Sequence, residues 1–303
     1  MVGNPLGCSS PFGRDLCACL VFGSPFSLDQ SAPLLGIILA KKEPFSRLTL
    51  AAIDAALEAG AILRQGFGTS FKISSKEGKH NLVTEYDTLA EERIIASLKA
   101  AAPGSRFLAE ESGGSGTGEG PLWIVDPLDG TVNFAHRIPI FSVSIALEEN
   151  GEIVSGVVYQ PLQNELFAAE RGKGAFLNGE PLHVSSVQSL DGSILAIGFP
   201  YNLIENPFHC IDHFIDVIRL GIPIRRLGSA AIDLAYTAAG YFEGFFEVGL
   251  GPWDCAAGIL LVEEAGGKVT HWDKKPFSIH SKKPVVATNG RIHDALATIL
   301  HKA

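Results

Sequence analysis

Residues 123–134 read Trp-Ile-Val-Asp-Pro-Leu-Asp-Gly-Thr-Val-Asn-Phe, and no other stretch of the chain restricts the fold as tightly. Trp123, Ile124 and Val125 have the character of a buried strand, which ends abruptly at Asp126, Pro127, Leu128 and Asp129. Pro127 has no amide hydrogen and a fixed φ, so the backbone after Asp126 must leave the ladder and can turn the Leu128 carbonyl toward a ligand. Gly130 and Thr131 are placed to open a short helix whose first amides face the same space and suit a phosphate. Carboxylate and carbonyl oxygens converging beside a phosphate are what a hard cation such as Mg²⁺ requires. Taken alone, an Asp-Pro-x-Asp-Gly sequence is better explained as a turn with two solvated aspartates, because these are ordinary turn residues. The remainder of the chain changes that balance.

From Leu50, apolar residues recur at helical spacing (Leu50, Ile53, Leu57, Ala61), which predicts a packing helix with Asp54, Glu58 and Arg64 off its buried face. Lys72 to His80 reads as a mobile hairpin or loop, from which Lys76 and Lys79 could reach an anion. A second helix follows, with Thr88-Leu89-Ala90-Glu91 as its capping box and Asp87 just ahead of it. Phe107 to Ala109 is a short strand ending in Glu110 and Glu111, and Gly113 to Gly120 reads as a flexible loop. Sequential strands tend to lie side by side, which puts Glu110 within reach of Asp126. Beyond Phe134 a period of two begins at Phe141, with turns at Asn150-Gly151 and at Arg171 to Gly174, predicting an antiparallel meander. After Gln188, strands alternate with helices, including a small-residue helix from Ser229 and a helix headed by Asp254 as its N-cap. Five acids therefore stand at element ends: Asp87, Glu110, Asp126, Asp129 and Asp254.

Organisation follows from these texture changes. Residues 1–45 are rich in Gly, Pro, Ser and Cys and read as a disordered extension; residues 46–187 form an N-terminal α+β domain carrying most of the acids; residues 188–303 form an α/β domain that contributes Asp254. The extension has only Arg14 as a basic residue before Lys41, a poor organellar presequence, and the apolar run of residues 33–40 has its Lys41-Lys42 pair on the wrong side for secretion. The net charge of −9 argues against direct nucleic-acid binding, and no apolar run is long enough to span a membrane. The five cysteines are odd in number and irregularly spaced, which fits reduced thiols in the cytoplasm.

The segments Ala109-Glu110-Glu111-Ser112, Asp126 to Phe134, and Trp253-Asp254 followed by Glu264-Ala265-Gly266-Gly267 together resemble the inositol monophosphatase family, within the Mg²⁺-dependent, lithium-sensitive phosphatase superfamily. The resemblance covers the chain from about Ser46 onward and, at Gly198 to Tyr201 and Arg225 to Ala231, is nearer the bacterial branch. It implies a layered αβαβα sandwich, α+β and α/β in character, of the inositol monophosphatase and fructose-1,6-bisphosphatase type. By that resemblance Glu110, Asp126 and the Leu128 carbonyl hold one Mg²⁺, while Asp126, Asp129 and Asp254 share a second; Glu110 holds a third through water, giving about two to three ions per site. Thr131 with Asp87 orients and deprotonates the attacking water, with Glu110 counted beside them as catalytic. Gly130, Thr131 and Val132 offer amides to the phosphate; Val132 stands where animal members commonly have Thr, which removes a hydroxyl and keeps the amide. Glu247 grips a ring hydroxyl, Ala230 lines the pocket by its backbone, and Lys76 matches a flexible-loop lysine.

The expected reaction is hydrolysis of a small phosphorylated polyol, first of all myo-inositol 1-phosphate, by in-line attack of water. This is a slow uncatalysed reaction whose catalysis needs charge neutralisation and a positioned nucleophile. No cysteine has a base near it in sequence and no serine sits in a Gly-x-Ser-x-Gly turn, so covalent catalysis has little support. The same chemistry on fructose 1,6-bisphosphate, histidinol phosphate or 3'-phosphoadenosine 5'-phosphate is the first alternative. A protein-binding accessory role in transcription or RNA processing is the second, acting through a protein partner because no basic stripe is present. The family commonly forms homodimers, and no sequence feature decides that point here.

Overall fold

The computed structural model of the protein describes residues 45–75, 82–116, 120–281 and 283–301. Residues 1–44 and the loop bearing Lys76 and Lys79 lie outside the described residues, while Phe45, counted above in the extension, packs edge-on against Phe176. Helix α1 (Arg47–Gly66) is capped by Ser46, whose Oγ accepts from the Thr49 amide. Its buried face is broader than the expected stripe: Ile53 and Leu57 are buried with Ala52, Ala56, Ala59, Gly60 and Leu63, while Leu50 and Ala61 sit at its rim. The small residues let the helix lie close on its sheet, where a Cβ on Gly60 would strike the Tyr159 ring.

Strands β1 (Ile73–Ser75) and β2 (Leu82–Thr84) form an antiparallel hairpin base, as one of the two expected forms of the basic stretch requires. Helix α2 (Glu85–Ala101) begins three residues earlier than its expected cap. Thr84, not Thr88, is the N-cap, and Asp87 closes the box by accepting from the Thr84 amide at 2.8 Å. Glu91, freed from that role, accepts from the amides of Glu111 and Ser112, both at 2.9 Å, and so ties the acidic turn to α2.

The chain continues through β3 (Arg106–Ala109), β4 (Gly113–Ser115), β5 (Leu122–Asp129), the short helix α3 (Thr131–Ala135), β6 (Ser142–Glu149), β7 (Glu152–Gln160), β8 (Glu165–Glu170), β9 (Gly174–Leu177) and β10 (Glu180–Pro181). These strands make an eight-stranded sheet in the order β10-β9-β8-β7-β6-β5-β3-β4, parallel only at β3/β5. Gly113 to Ser115, expected as loop, instead pairs with β3 as an edge strand. In β6 both faces are buried, Ser142 and Ser144 included, so its period of two does not separate core from solvent. The reason is a second layer on the far side.

That layer comes from the rest of the chain: β11 (Leu195–Ile197), α4 (Cys210–Arg219), β12 (Ile224–Arg225), α5 (Ala230–Ala238), β13 (Gly244–Glu247), α6 (Pro252–Glu264), β14 (Lys268–His271), β15 (Val285–Thr288) and α7 (His293–Leu300). The strands form a five-stranded mixed sheet in the order β12-β11-β13-β15-β14. Three apolar cores separate the layers. Helices α1 and α2 cover one face of the large sheet around Trp123, Phe134 and Tyr159. Helices α5 and α6 fill the space between the sheets with Ala231, Leu234, Ala257 and Leu260. Helices α4 and α7 cover the outer face of the small sheet with Val217 and Leu296. The result is the expected αβαβα sandwich. Asp254 is not the N-cap of α6: Gly251 is, and Asp254 sits in the first turn, accepting from the Gly251 amide at 2.6 Å.

Candidate active site

The register between β5 and β6 breaks between Asp126 and Asp129, which leaves Pro127 and Leu128 out of the ladder. Asp126 is therefore buried at the point where the strand kinks, and its Oδ1 accepts from the Leu128 amide at 3.0 Å. Gly130 follows at φ 98°, a left-handed conformation that favours glycine. A Cβ there would also lie 3.2 Å from the carbonyl oxygens of Gly228 and Ile140. Asn133 fastens this turn, its Nδ2 donating to the carbonyls of Ile140 and Leu227 at 2.8 Å each.

Glu110 continues from β3, its amide bonded to the Val125 carbonyl beside Asp126, so the expected side-by-side placement of the two acids holds. Asp129 turns toward the second half of the chain. Its Oδ2 accepts from Ser229 Oγ at 2.6 Å and the Ala231 amide at 2.8 Å, at the N-terminus of α5. Asp254 arrives from the first turn of α6. Glu110, Asp126, Leu128, Asp129 and Asp254 all line one cavity of about 1000 Å³, together with Gly130, Thr131, Val132, Ala230 and Glu247. Asp87 lies behind this wall. Thr131 Oγ1 stands 3.0 Å from both Asp87 Oδ1 and the Leu128 carbonyl, so its single proton serves one acceptor at a time. The other oxygen of Asp87 is held by the amide and hydroxyl of Thr84.

Electrostatics mark the cavity as short of positive charge. Burial, followed by repulsion from Glu110, Asp129 and Asp254, holds the Asp126 carboxyl well above the usual carboxylate range. Burial pushes Asp129 up to about 6, although its bonds from Ser229 and Ala231 pull the other way. Asp87 is raised by burial against the hydrogen bonds of Thr84 and Thr131. Glu247 is raised by burial and then by Asp254 and Asp129, with Arg226 opposing. Acids raised by one another bind protons or cations to relieve the repulsion. The donors are all oxygen, four carboxylates and a carbonyl, which suits a hard divalent ion. Among the described residues no group of three or more His, Cys, Asp or Glu side chains meets the geometry of a preformed metal site.

Three features of the cavity were not singled out by the sequence. Asn133 and Ser229 connect the acidic strand end to the second half of the chain, and only the fold reveals those partners. Asp233, on α5, lines the same cavity. Its one sequence signal is an acid three residues after Ala230 in an otherwise uncharged helix.

The chain is similar to known proteins over most of its length. The sequence profile of the inositol monophosphatase family matches residues 45–303. An inositol-1-monophosphatase of Caulobacter vibrioides is 42% identical over 255 residues, covering 83% of this chain and all of that protein. The Nus factor SuhB of Escherichia coli is 45% identical over 221 residues, 72% of this chain and 83% of its own. Among solved structures, the extragenic suppressor protein suhB of Bartonella henselae superposes with a TM-score of 0.81 at 41% identity, over 85% of this chain and 100% of that one. An inositol monophosphatase from Anabaena gives a TM-score of 0.73 at 39% identity over 83% and 94%.

Proposed function

This chain belongs to the inositol monophosphatase family and is a phosphatase, and from that premise we propose that it hydrolyses myo-inositol 1-phosphate in a Mg²⁺-dependent reaction. The observation that carries the reading is the gathering of Glu110, Asp126, Asp129 and Asp254 along one cavity, where burial and then the neighbouring acids raise the Asp126 carboxyl, with Thr131 on the wall and Asp87 bonded to it from behind. Glu110, Asp126, Asp129, Asp254 and the Leu128 carbonyl are the groups proposed to hold the ions. Bound there, divalent cations neutralise phosphoryl charge and acidify a water molecule.

The chain's own residues do the rest. The first amides of α3, at Thr131 and Val132, have no carbonyl of their own helix to bond, and with Gly130 they are placed to grip phosphate oxygens. Thr131 Oγ1 orients the attacking water, and Asp87 Oδ1 takes the proton passed through that hydroxyl. Thr84 holds Asp87 in position by bonding its other oxygen. Glu247, at the end of β13, receives a hydroxyl of the alcohol. The backbone of Gly198 packs directly on the Glu247 carboxyl, leaving no room for a Cβ there.

We assign the enzyme to the cytoplasm on its cysteine pattern; no helix among the described residues is long and apolar enough to cross a membrane. A homodimer is supported by exposed apolar side chains between residues 201 and 220. The relatives named Nus factor SuhB favour a second reading, an accessory role in transcription through a protein partner. The deciding experiment is phosphate release from myo-inositol 1-phosphate, fructose 1,6-bisphosphate, histidinol phosphate and 3'-phosphoadenosine 5'-phosphate, with and without Mg²⁺, and with Asp126→Asn as control. Fastest turnover of the inositol ester supports the first reading. Full cellular function of an inactive Asp126→Asn protein supports the second.

A further inference from the structure

On the reading of the cavity as a polyol-phosphate site, we infer that Asp233 is a second hydroxyl acceptor, working beside Glu247 to select esters whose alcohol carries further hydroxyl groups. Helix α5 reads Ala-Ala-Ile-Asp-Leu-Ala-Tyr-Thr-Ala, and Asp233 is its one charged residue. The side chain is 1% exposed, and its Oδ1 has no hydrogen-bond partner among the described residues. An acid in such a place is costly, and neither packing nor capping accounts for it. Packing would be served by an aliphatic residue of similar size. Capping of α5 is already done by Ser229, whose Oγ accepts from the Ile232 amide, and by Asp129.

What remains is the cavity. Asp233 lines it. It lies one turn after Ala230 on the same helix face, and side chains in a helix lean toward the N-terminus, here toward the mouth formed by Ala230 and Asp129. The groups whose charges act on it are Glu247, Asp129 and Arg226. Two acids on separate elements, α5 and β13, thus face the part of the cavity beyond the phosphate-binding turn. Anionic groups of a ligand are repelled there, whereas hydroxyl donors satisfy an oxygen that has no partner among the described residues. A site built to bond hydroxyls discriminates strongly against an analogue lacking them, because its polar atoms are then left unpaired.

The test measures kcat and KM for the wild type, Asp233→Asn and Asp233→Ala with myo-inositol 1-phosphate and with 4-nitrophenyl phosphate, whose alcohol carries no further hydroxyl. Both variants should raise KM for the inositol ester by roughly tenfold or more with kcat little changed, and alter the aryl ester by less than about twofold. Turnover of the aryl ester also reports that each variant is folded. Equal losses on both esters, or an unchanged KM for the inositol ester, overturn the assignment. On the wild type alone, myo-inositol 1-phosphate should show a KM at least roughly tenfold below that of cyclohexyl phosphate; equal values also overturn it. A wild-type protein that cleaves none of these esters in Mg²⁺ overturns the phosphatase reading, and the subsite with it. Cleavage of all of them without discrimination overturns the subsite alone.

Discussion

The hydroxyl of Thr131 lies 3.0 Å from Oδ1 of Asp87, joining the first turns of two helices across 44 residues of sequence. On the proposed mechanism, neither residue can take a proton from the attacking water without the other. Thr131→Ala and Asp87→Asn should each lower kcat by roughly 10²- to 10⁴-fold, the range of a general base, while KM changes little. The proposed mechanism makes the two one unit, so the double variant should be no slower than the worse single one. Multiplied losses in steady-state assays would show that they act separately.

On the proposed reading, Asp126 sets metal binding against stability. Its carboxyl is buried among three like charges, so neutralising it should stabilise the metal-free protein even as activity disappears. Asn at this position retains an oxygen for the Leu128 amide. Asp126→Asn should therefore raise the Tm of chelator-treated protein by a few degrees, about what 1 kcal/mol gives in a chain of this size. A lowered Tm would mean that the carboxylate is structurally required.

The pH dependence has a definite sign. Asp129 titrates near 6 in the folded protein against 3.8 ordinarily, because it is buried. Between those values the folded state binds more protons than the unfolded state, so this group's contribution is full below about pH 4 and is lost as pH rises through 6. Cations compete with protons for the same oxygens. Saturating Mg²⁺ should raise the Tm clearly at about pH 7.5 and hardly at all near pH 4.5, as read by thermal melts. Equal shifts at both values would place the ion away from these carboxylates.

Asn133, just after the Gly130 turn, donates at 2.8 Å both to Ile140 and to Leu227 in the segment before α5. Asn133→Ala leaves both carbonyls without that donor and should cost roughly 1–3 kcal/mol in denaturant unfolding. Catalysis should fall with it, since Gly130 is positioned by the same turn. Unchanged stability would mean that water replaces the amide.

Between residues 201 and 220 several apolar side chains face outward: Tyr201 is 70% exposed, Ile204 97%, Phe208 51%, Ile218 47% and Leu220 53%. Exposed apolar side chains on one short segment would be covered by a second copy of the chain if it dimerises there. Ile218→Glu should shift the protein from dimer to monomer in analytical ultracentrifugation. A wild type that sediments as a monomer disproves this interface.

Much of the site was legible in the sequence because it is written in local signals. A strand ending in Asp-Pro-Leu-Asp-Gly announces a broken ladder whether or not its neighbours are known, and the structure breaks the register between Asp126 and Asp129. Adjacent strands likewise predicted Glu110 beside Asp126. Helix starts were misjudged where two capping patterns compete within a few residues, as at Thr84 and Thr88, since only the carboxylate's actual reach decides between them. The two-sided burial of β6, the grip of Ser229 on Asp129 across 100 residues and the unbonded oxygen of Asp233 were decided by tertiary structure alone. Local sequence carries backbone preference and periodicity. Burial and hydrogen-bond partnership depend on which distant segments pack together, and that is settled only when the layers close.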